Sequence, residues 1–184
     1  MKKVLFLCLS MLFAFSMYAQ IYTSKEGSTQ ISFFSEAPLE NIEALNKSAI
    51  IVFKSTGEIQ VSITMFNFKF KNALMEEHFN GNYIESENYP KCIFKGKFTD
   101  GLDLSKDGTT QVTCSGKLEL HGVTKDVTMF GTITKTGNEL KLNTVFMIRV
   151  ADYNIKVPSM YVKNIAEEVK VTFETVLVPY VKNK

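Results

Sequence analysis

Two histidines are the side chains of this chain best suited to proton transfer near neutral pH. His78 lies among apolar residues in a segment of helix-forming composition, and His121 precedes Gly122 in a turn. The chain has no HExxH pattern, CxxC pair, Gly-x-Ser-x-Gly elbow or glycine-rich phosphate loop. A structural role is predicted for His121, while a structural role and contact with a ligand head group both stay open for His78. The sequence predicts no catalytic residue, no metal site and no cofactor.

Four glutamates near His78 have the chemistry of a general acid and base pair. They are Glu76, Glu77, Glu85 and Glu87. A run of acidic residues that flanks a helix and a loop is more typical of a solvated surface. The sequence therefore favours a binding or structural protein over an enzyme.

Cys92 and Cys114 are the cysteines that follow the N-terminal segment, and in an exported chain such a pair suggests a disulfide. A hairpin centred near Ser105 places Cys92 opposite Leu118 and Cys114 opposite Gly96. The two thiols would then lie roughly 13 Å apart along the ladder, beyond disulfide reach. Two buried free thiols are the favoured prediction.

Alternation of apolar and polar residues with a period of two dominates the chain after residue 20. Turn sequences such as Asp107-Gly108 and Thr136-Gly137-Asn138 separate the alternating segments. About eight strands joined by tight turns predict an antiparallel meander, and a closed barrel is favoured over a sandwich because closure removes exposed edges. Lysines on the polar faces favour a water-soluble barrel over an outer-membrane one. The predicted strands lie near 30–34, 49–53, 59–65, 92–98, 112–120, 127–133, 140–148 and 169–177.

The segment from Asn72 to Asn80 departs from this alternation. Asn72 can cap a helix, and Met75 and Phe79 are four residues apart on one helical face. A short helix and the loop after it are therefore expected to cover one end of the barrel. A second short helical connection is predicted over 38–46.

The apolar parity changes just before this segment. Phe66, Phe68 and Phe70 share one parity, whereas the strand from Ile59 to Met65 uses the other. Because a shift of one residue turns every side chain to the opposite face, the strand must bulge or end near Met65.

Residues 1–19 are typical of a secretory signal peptide, with Lys2 and Lys3 before an apolar run and a cleavage point expected after Ala19. The remaining 165 residues, 20–184, suit one domain and carry 19 basic and 19 acidic side chains. Neutral charge gives no reason to expect nucleic acid as a partner, and no second apolar run predicts an integral membrane span. A periplasmic or secreted protein is expected.

Aromatic residues are abundant, with fifteen phenylalanines, seven tyrosines and no tryptophan. An eight-stranded barrel is just wide enough to be filled by its own side chains or to hold one small ligand. Composition leaves both alternatives open.

Three stretches resemble the YceI-like family of periplasmic polyisoprenoid-binding proteins. The first runs from Asn72 to Gly96 and contains Asn-Ala-Leu-Met-Glu-Glu-His-Phe-Asn followed by Tyr89-Pro90. The second is Gly116 to Val127, with His-Gly-Val-Thr-Lys-Asp at its centre, and the third is Phe146 to Ile155. Many members have proline where this chain has Asp126, and some have an Arg-Asp pair just before the histidine.

The resemblance implies an all-β, extended lipocalin-like barrel of eight antiparallel strands, with the short helix inserted near 72–80 and a tunnel for an isoprenoid or similar amphiphile. It implies no catalytic residues. Candidates for the mouth and cap of the tunnel are Phe66, Phe68, Phe70, Leu74, Met75, Phe79 and Tyr83. Candidates for its walls are Phe94, Phe98, Leu118, Leu120, Met129, Phe146, Ile148, Val171 and Phe173. His78 and Tyr83 are the candidates for polar contact with a head group.

The leading hypothesis is a periplasmic carrier or reservoir for a polyisoprenoid or other long-chain lipid, such as a quinone or an undecaprenyl-type carrier. The second is a structural or stress-related envelope protein with a filled barrel. The third, a lipid head-group hydrolase or isomerase that uses His78, has the least support. A homodimer is left open.

Overall fold

The computed structural model describes residues 19–36, 41–156 and 167–181. The predicted signal peptide lies outside these ranges except for Ala19, and so does the start of the predicted helical connection at Pro38. The elements are β1 Ile21–Ser24, β2 Gln30–Ser35, β3 Ile42–Asn46, β4 Ile50–Lys54, β5 Glu58–Thr64, β6 Lys69–Phe70, α1 Ala73–His78, β7 Lys91–Phe98, β8 Gly108–Leu120, β9 Val123–Thr136, β10 Glu139–Arg149 and β11 Glu168–Pro179.

The eleven strand segments occupy eight positions, here called staves, around one closed antiparallel barrel, and three of the staves consist of two segments each. β1 and β2 both pair with β11 and are two halves of one interrupted stave. β4 pairs with β1, and β3 pairs with β2. On their other edges, β4 pairs with β5 and β3 pairs with β6. β7 to β11 complete the ring, and β1 closes it against β11. The predicted eight-stranded barrel is confirmed.

Buried polar side chains mark two of the interruptions. Asn46 is fully buried between β3 and β4, where its Nδ2 donates to Thr64 O at 2.9 Å and its Oδ1 accepts from Ser48 N at 2.9 Å. Between β1 and β2, the hydroxyls of Thr29 and Thr175 lie 2.9 Å apart. These bonds satisfy polar groups that the broken ladder would otherwise leave buried and unpaired.

The predicted change of parity is confirmed at Met65. A 3-10 turn at Met65–Asn67 ends β5, and β6 starts two residues later. Met65 and Phe68 are buried while Phe66 is exposed, so the turn restores the inward direction of the aromatic side chains.

The predicted helix is confirmed as α1, with Asn72 at its N-cap. The Asn72 Oδ1 accepts from Leu74 N at 2.9 Å, and a π-helical turn at Phe79–Tyr83 continues the helix. Glu76 accepts from Phe70 N at 3.3 Å and pairs with Lys69. The hydrogen bond from Lys69 lowers the pKa of the Glu76 carboxyl. Glu76 therefore ties α1 to β6 from a partly solvated position, with 26% of its side chain exposed.

The second predicted helix was also wrong where the structure describes it. Residues Ile42–Asn46 form β3, which pairs with β2 from Ile42 opposite Ser35 to Asn46 opposite Ile31. The helix prediction rested on residues of good helix propensity, which include Glu43, Ala44 and Leu45. Pairing with the edge of β2 outweighs this weak local preference.

Cys92 and Cys114 are buried free thiols, as predicted. The predicted register was wrong by two residues, because Cys114 lies opposite Phe98 and Gly96 lies opposite Gly116. A Cβ at Gly116 would stand 2.5 Å from the Cα of Gly96, so the two strands need glycine at this rung. Burial raises the pKa of Cys92 to about 12 and that of Cys114 to about 11.

Candidate functional site

An apolar cavity of about 310 Å³ lies under α1 at one end of the barrel. We call it the upper cavity. Its size is at the lower end of the range usual for small-molecule sites. It is lined by Phe33, Ser35, Ile42, Ile63, Met65, Phe68, Asn72, Leu74, Met75, His78, Phe79, Tyr83, Ile84, Cys92, Leu120, Ile148, Val150, Ile155, Val169 and Val171.

A second cavity of about 100 Å³, the lower cavity, lies deeper in the barrel. It shares Ile63, Cys92, Ile148 and Val171 with the upper cavity, so the two cavities are adjacent. The rest of its lining is Ile31, Ile59, Val61, Phe94, Phe98, Val112, Cys114, Leu118, Met129, Phe130, Gly131, Leu142, Thr144, Phe146 and Phe173.

The far end of the barrel is packed solid. Ile51, Phe53 and Leu140 are at most 1% exposed, and Leu177 is 2% exposed. The Phe53 ring packs against Phe98 with its centroid 5.7 Å away. We refer to the two adjacent cavities together as the tunnel, and this packed floor bounds the tunnel on the side away from α1.

Four phenylalanines hold α1 over the upper cavity. The Phe79 ring, at the end of α1, lies 5.5 Å from Phe33, 5.7 Å from Phe68 and 5.1 Å from Phe70 between centroids. Separations of this size give favourable tilted and offset contacts beyond simple area burial. The cap is therefore attached to β2 and β6 through aromatic packing.

Polar groups in the cavity lining are concentrated at the α1 end. Ser35, Asn72, His78 and Tyr83 line the upper cavity, whereas Thr144 is the only side chain with a hydroxyl in the lower one. The Thr144 hydroxyl donates to Phe130 O at 2.7 Å, so it is already engaged. This gradient suits an amphiphile with its chain toward the floor and its head group near α1.

The three sequence stretches singled out above meet at the α1 end. The His121 Nδ1 lies 2.9 Å from Tyr153 O, and since a carbonyl only accepts, Nδ1 carries a proton. Tyr89 packs on the His121 ring at 4.4 Å between centroids. The Glu85 carboxylate is 3.5 Å from Nε2 of the same ring. His121 thus has the structural role that was predicted, joining the loop after α1 to the β8–β9 turn.

The β8–β9 turn requires glycine at position 122. Its φ is +72°, and a Cβ there would lie 2.7 Å from the Tyr89 ring. Any side chain would strain the backbone and displace the ring that packs on His121.

The structure brings together most of the residues predicted for a binding site. Phe66 is 43% exposed and Phe70 packs behind the cap, and neither lines a cavity. All the other predicted residues line the upper cavity, the lower cavity or both. Lining residues that were not predicted include Phe33, Ile42, Ile63 and Met65, although alternation along β2 and β5 marks Phe33 and Ile63 as inward.

Few titratable side chains are found among the described residues of the lining. His78 is the one residue of the lining with an imidazole, and no carboxylate is among the described residues that line either cavity. Across the described parts of the chain, no group of three histidine, cysteine or acidic side chains could hold a metal ion. Within the same residues, no helix has the length and apolarity needed to cross a membrane.

A closed eight-stranded barrel with an apolar tunnel under a helical cap belongs to the class of calyx-shaped barrels that hold ligands inside. The model of the YceI-like domain matches residues 22–177, and the chain therefore belongs to the YceI-like family.

Solved structures of the same fold include a polyisoprenoid-binding domain from Saccharophagus degradans implicated in plant cell wall breakdown. It superposes with a TM-score of 0.74 at 16% identity, covering 86% of this chain and 98% of that one. BcnA of Burkholderia cenocepacia gives 0.70 at 19% identity over 83% and 98% of the two chains. The YCEI protein of Campylobacter jejuni gives 0.62 at 15% identity over 79% and 90%. No curated protein matches the sequence significantly.

Proposed function

We propose that the protein binds a polyisoprenoid or similar long-chain amphiphile, with the chain in the tunnel and the head group near α1. The observation that carries this proposal is the pair of adjacent apolar cavities closed by the packed floor. The same shape argues against a barrel filled by its own side chains. The Saccharophagus domain, described as polyisoprenoid-binding, has the same fold and supports the same class of ligand.

Burial of the chain is the main favourable contribution to binding. About ten methylenes at about 0.8 kcal/mol each contribute about 8 kcal/mol, which corresponds to micromolar binding before the costs of association. His78 and Tyr83 are proposed to orient the head group, and the remaining predicted lining residues to contact the chain. Binding without chemical conversion is the proposed role, and it is supported by a lining in which no described residue has a carboxylate that could act with His78 as an acid and base pair.

The proposed place of action is the periplasm or the cell exterior. The support is the sequence of residues 1–19, which has the features of a cleaved signal. N-terminal sequencing of the protein from an envelope fraction should give Gln20 as the first residue. A chain that retains Met1 in the cytoplasm would contradict this proposal.

Native mass spectrometry combined with organic extraction tests the binding role directly. The protein purified from its own cells should carry one long-chain lipid per chain. The recombinant protein should take up added retinol, a fluorescent isoprenoid alcohol, with saturable fluorescence enhancement. A bare mass together with no retinol uptake would contradict the proposal and favour a purely structural role.

A further inference from the structure

The barrel wall is split between β9 and β10. Their ladder ends where Thr144 lies opposite Gly131, although β9 continues back to Val123 and β10 continues on to Arg149. Over the rest of their length, β9 pairs with β8 and β10 pairs with β11. Among the described residues, nothing pairs with the two facing edges. We call this gap the β9–β10 window.

At the lower corner of the window, the backbones of β9 and β10 approach each other closely. A Cβ at Gly131 would lie 2.4 Å from Asn143 O, so only glycine lets the strands meet at this last rung. Above it, the Thr144 hydroxyl donates to Phe130 O at 2.7 Å and takes the place of the next ladder bond. A side chain thus terminates the ladder at a defined point.

The upper corner is closed by polar contacts. Lys125 of β9 pairs with Asp152 at 3.4 Å, and His121 bonds Tyr153 O at 2.9 Å. Both contacts join the β8–β9 side of the gap to the 3-10 turn at Val150–Tyr153 that follows β10. The window therefore has fixed upper and lower limits.

The window leads into the lower cavity. Phe130 and Gly131 from β9 and Thr144 and Phe146 from β10 all belong to the lining of that cavity. Phe130 is 70% exposed, so its position in the lining marks a place where the cavity meets the outside. Unpaired backbone groups along both edges also need access to water, as an open gap provides.

The outer rim of the window is apolar and uncharged. Phe130, Val145 and Met147 are each more than half exposed, and Thr128, two residues before Phe130, is exposed on the same outward parity. Among the described residues, the charges beside the rim include the Lys117–Asp126 pair at 3.0 Å, the Arg149–Glu168 pair at 3.9 Å, and Lys170, which lies opposite Met147 in the ladder with β11 and over the Phe34 ring. Such a rim favours an apolar chain over an ionic or strongly hydrated ligand.

We propose that the β9–β10 window is a lateral portal through which the apolar chain of the amphiphile passes into and out of the lower cavity. The inference rests on the proposed function, and it adds a route that avoids threading the whole chain beneath α1. A sideways passage brings a length of chain into the cavity in one movement, and each methylene that enters leaves water.

Cross-linking the window tests the portal. Extending the register of the ladder places Thr128 opposite Met147 across the gap. The double variant Thr128→Cys/Met147→Cys is bridged by a short bismaleimide and checked by mass. The matched control is Thr132→Cys/Asn143→Cys, whose positions pair directly in the intact ladder of the same two strands. The native thiols Cys92 and Cys114 are buried and remain in both variants.

The readouts are the rate of retinol uptake from vesicles of neutral phosphatidylcholine and the equilibrium affinity. Bridging the window should slow uptake and release by about tenfold or more with unchanged affinity, and bridging the control should change neither. Uptake that is equally fast with the window bridged would overturn the portal while leaving the binding role intact. Absence of retinol binding in every protein, including the unmodified one, would overturn the proposed function and the portal with it.

A second pair of variants does not depend on a cross-link. Val145→Lys places a charge on the rim outside the cavity lining, and Ile50→Lys places one at a comparably exposed apolar position of β4. The rim charge should slow uptake several-fold, whereas the control should not. Equal rates in the two variants would overturn the portal.

Discussion

The upper and lower cavities occupy one barrel but are bounded in different ways. The upper cavity is covered by a short helix held through aromatic contacts and has polar groups in its lining. The lower cavity is bounded by strands and the packed floor, and it meets the outside at the β9–β10 window. The comparison teaches that insertion of a helix and interruption of a strand ladder are two separate means of opening a closed barrel.

The largest expected difference concerns the two thiols. Cys92 lines both cavities and Cys114 lines the lower one, and burial raises their pKa values to about 12 and about 11 from an ordinary value of 9.0. At pH 8, alkylation in the folded protein should therefore be slower than in denaturant by about a thousandfold for Cys92 and about a hundredfold for Cys114.

Mass spectrometry of iodoacetamide-treated protein measures both rates. The same pKa shifts affect stability. Because the folded pKa of each thiol is the higher one, the contribution of the buried neutral thiols to the free energy of unfolding is complete below the ordinary thiol pKa and is lost as pH rises toward the folded values. Equal, rapid labelling of both thiols in the folded state would show that the lower cavity is open to reagents at rest.

The next effect is expected in the lower cavity. Phe146→Asp places an unpaired carboxylate where the chain is proposed to lie, and retinol affinity should fall about a hundredfold, as for other uncompensated buried charges. Phe146→Leu preserves the apolar surface and should bind within a few-fold of the parent. Unchanged binding in a folded Phe146→Asp protein, verified by circular dichroism, would exclude the lower cavity from the site.

A smaller effect is expected where the cap is attached. Phe79→Ala removes the ring that contacts Phe33, Phe68 and Phe70, and the free energy of unfolding should fall by about 2–3 kcal/mol. Phe66→Ala, at an exposed position outside the cluster, should change it by less than about 0.5 kcal/mol. Urea denaturation measures both, and equal losses would refute the distinction between cap and surface.

The smallest effect concerns the polar end of the upper cavity. His78→Leu should weaken retinol binding by about three- to tenfold if the imidazole bonds the hydroxyl, while His78→Gln should retain most of the affinity. Titration with retinyl acetate, in which the hydroxyl no longer donates, should show a smaller difference between the two variants. An equal loss in both variants with both ligands would assign His78 to packing.

Much of the barrel could be predicted from local pattern. Alternation located the strands, the parity of Phe66 to Phe70 located the break after Met65, and Asn72 located the start of α1. The segment Ile42–Asn46 could not be assigned in this way, because its strand state depends on pairing with β2. The predicted register between β7 and β8 was also wrong, because the close packing of Gly96 on Gly116 sets the register.

The candidate site shows the same limit. Period-two parity identified inward residues such as Phe94, Phe146 and Phe173, because a strand turns alternate side chains to one face. It could not distinguish a side chain that lines a cavity from one in the packed floor, since both are inward and apolar. Phe66 was misplaced for a related reason, as a single turn of 3-10 helix rotated it outward.

The amino-acid sequence alone favoured an antiparallel barrel with a helix that begins at Asn72, because alternation, turn residues and a capping asparagine act over a few neighbouring positions. The three-dimensional fold was needed to show that the barrel is hollow at one end and solid at the other, and that the ladder between β9 and β10 stops partway. These features depend on which side chains meet across the barrel and where a ladder stops, and contacts between residues far apart in the chain decide both.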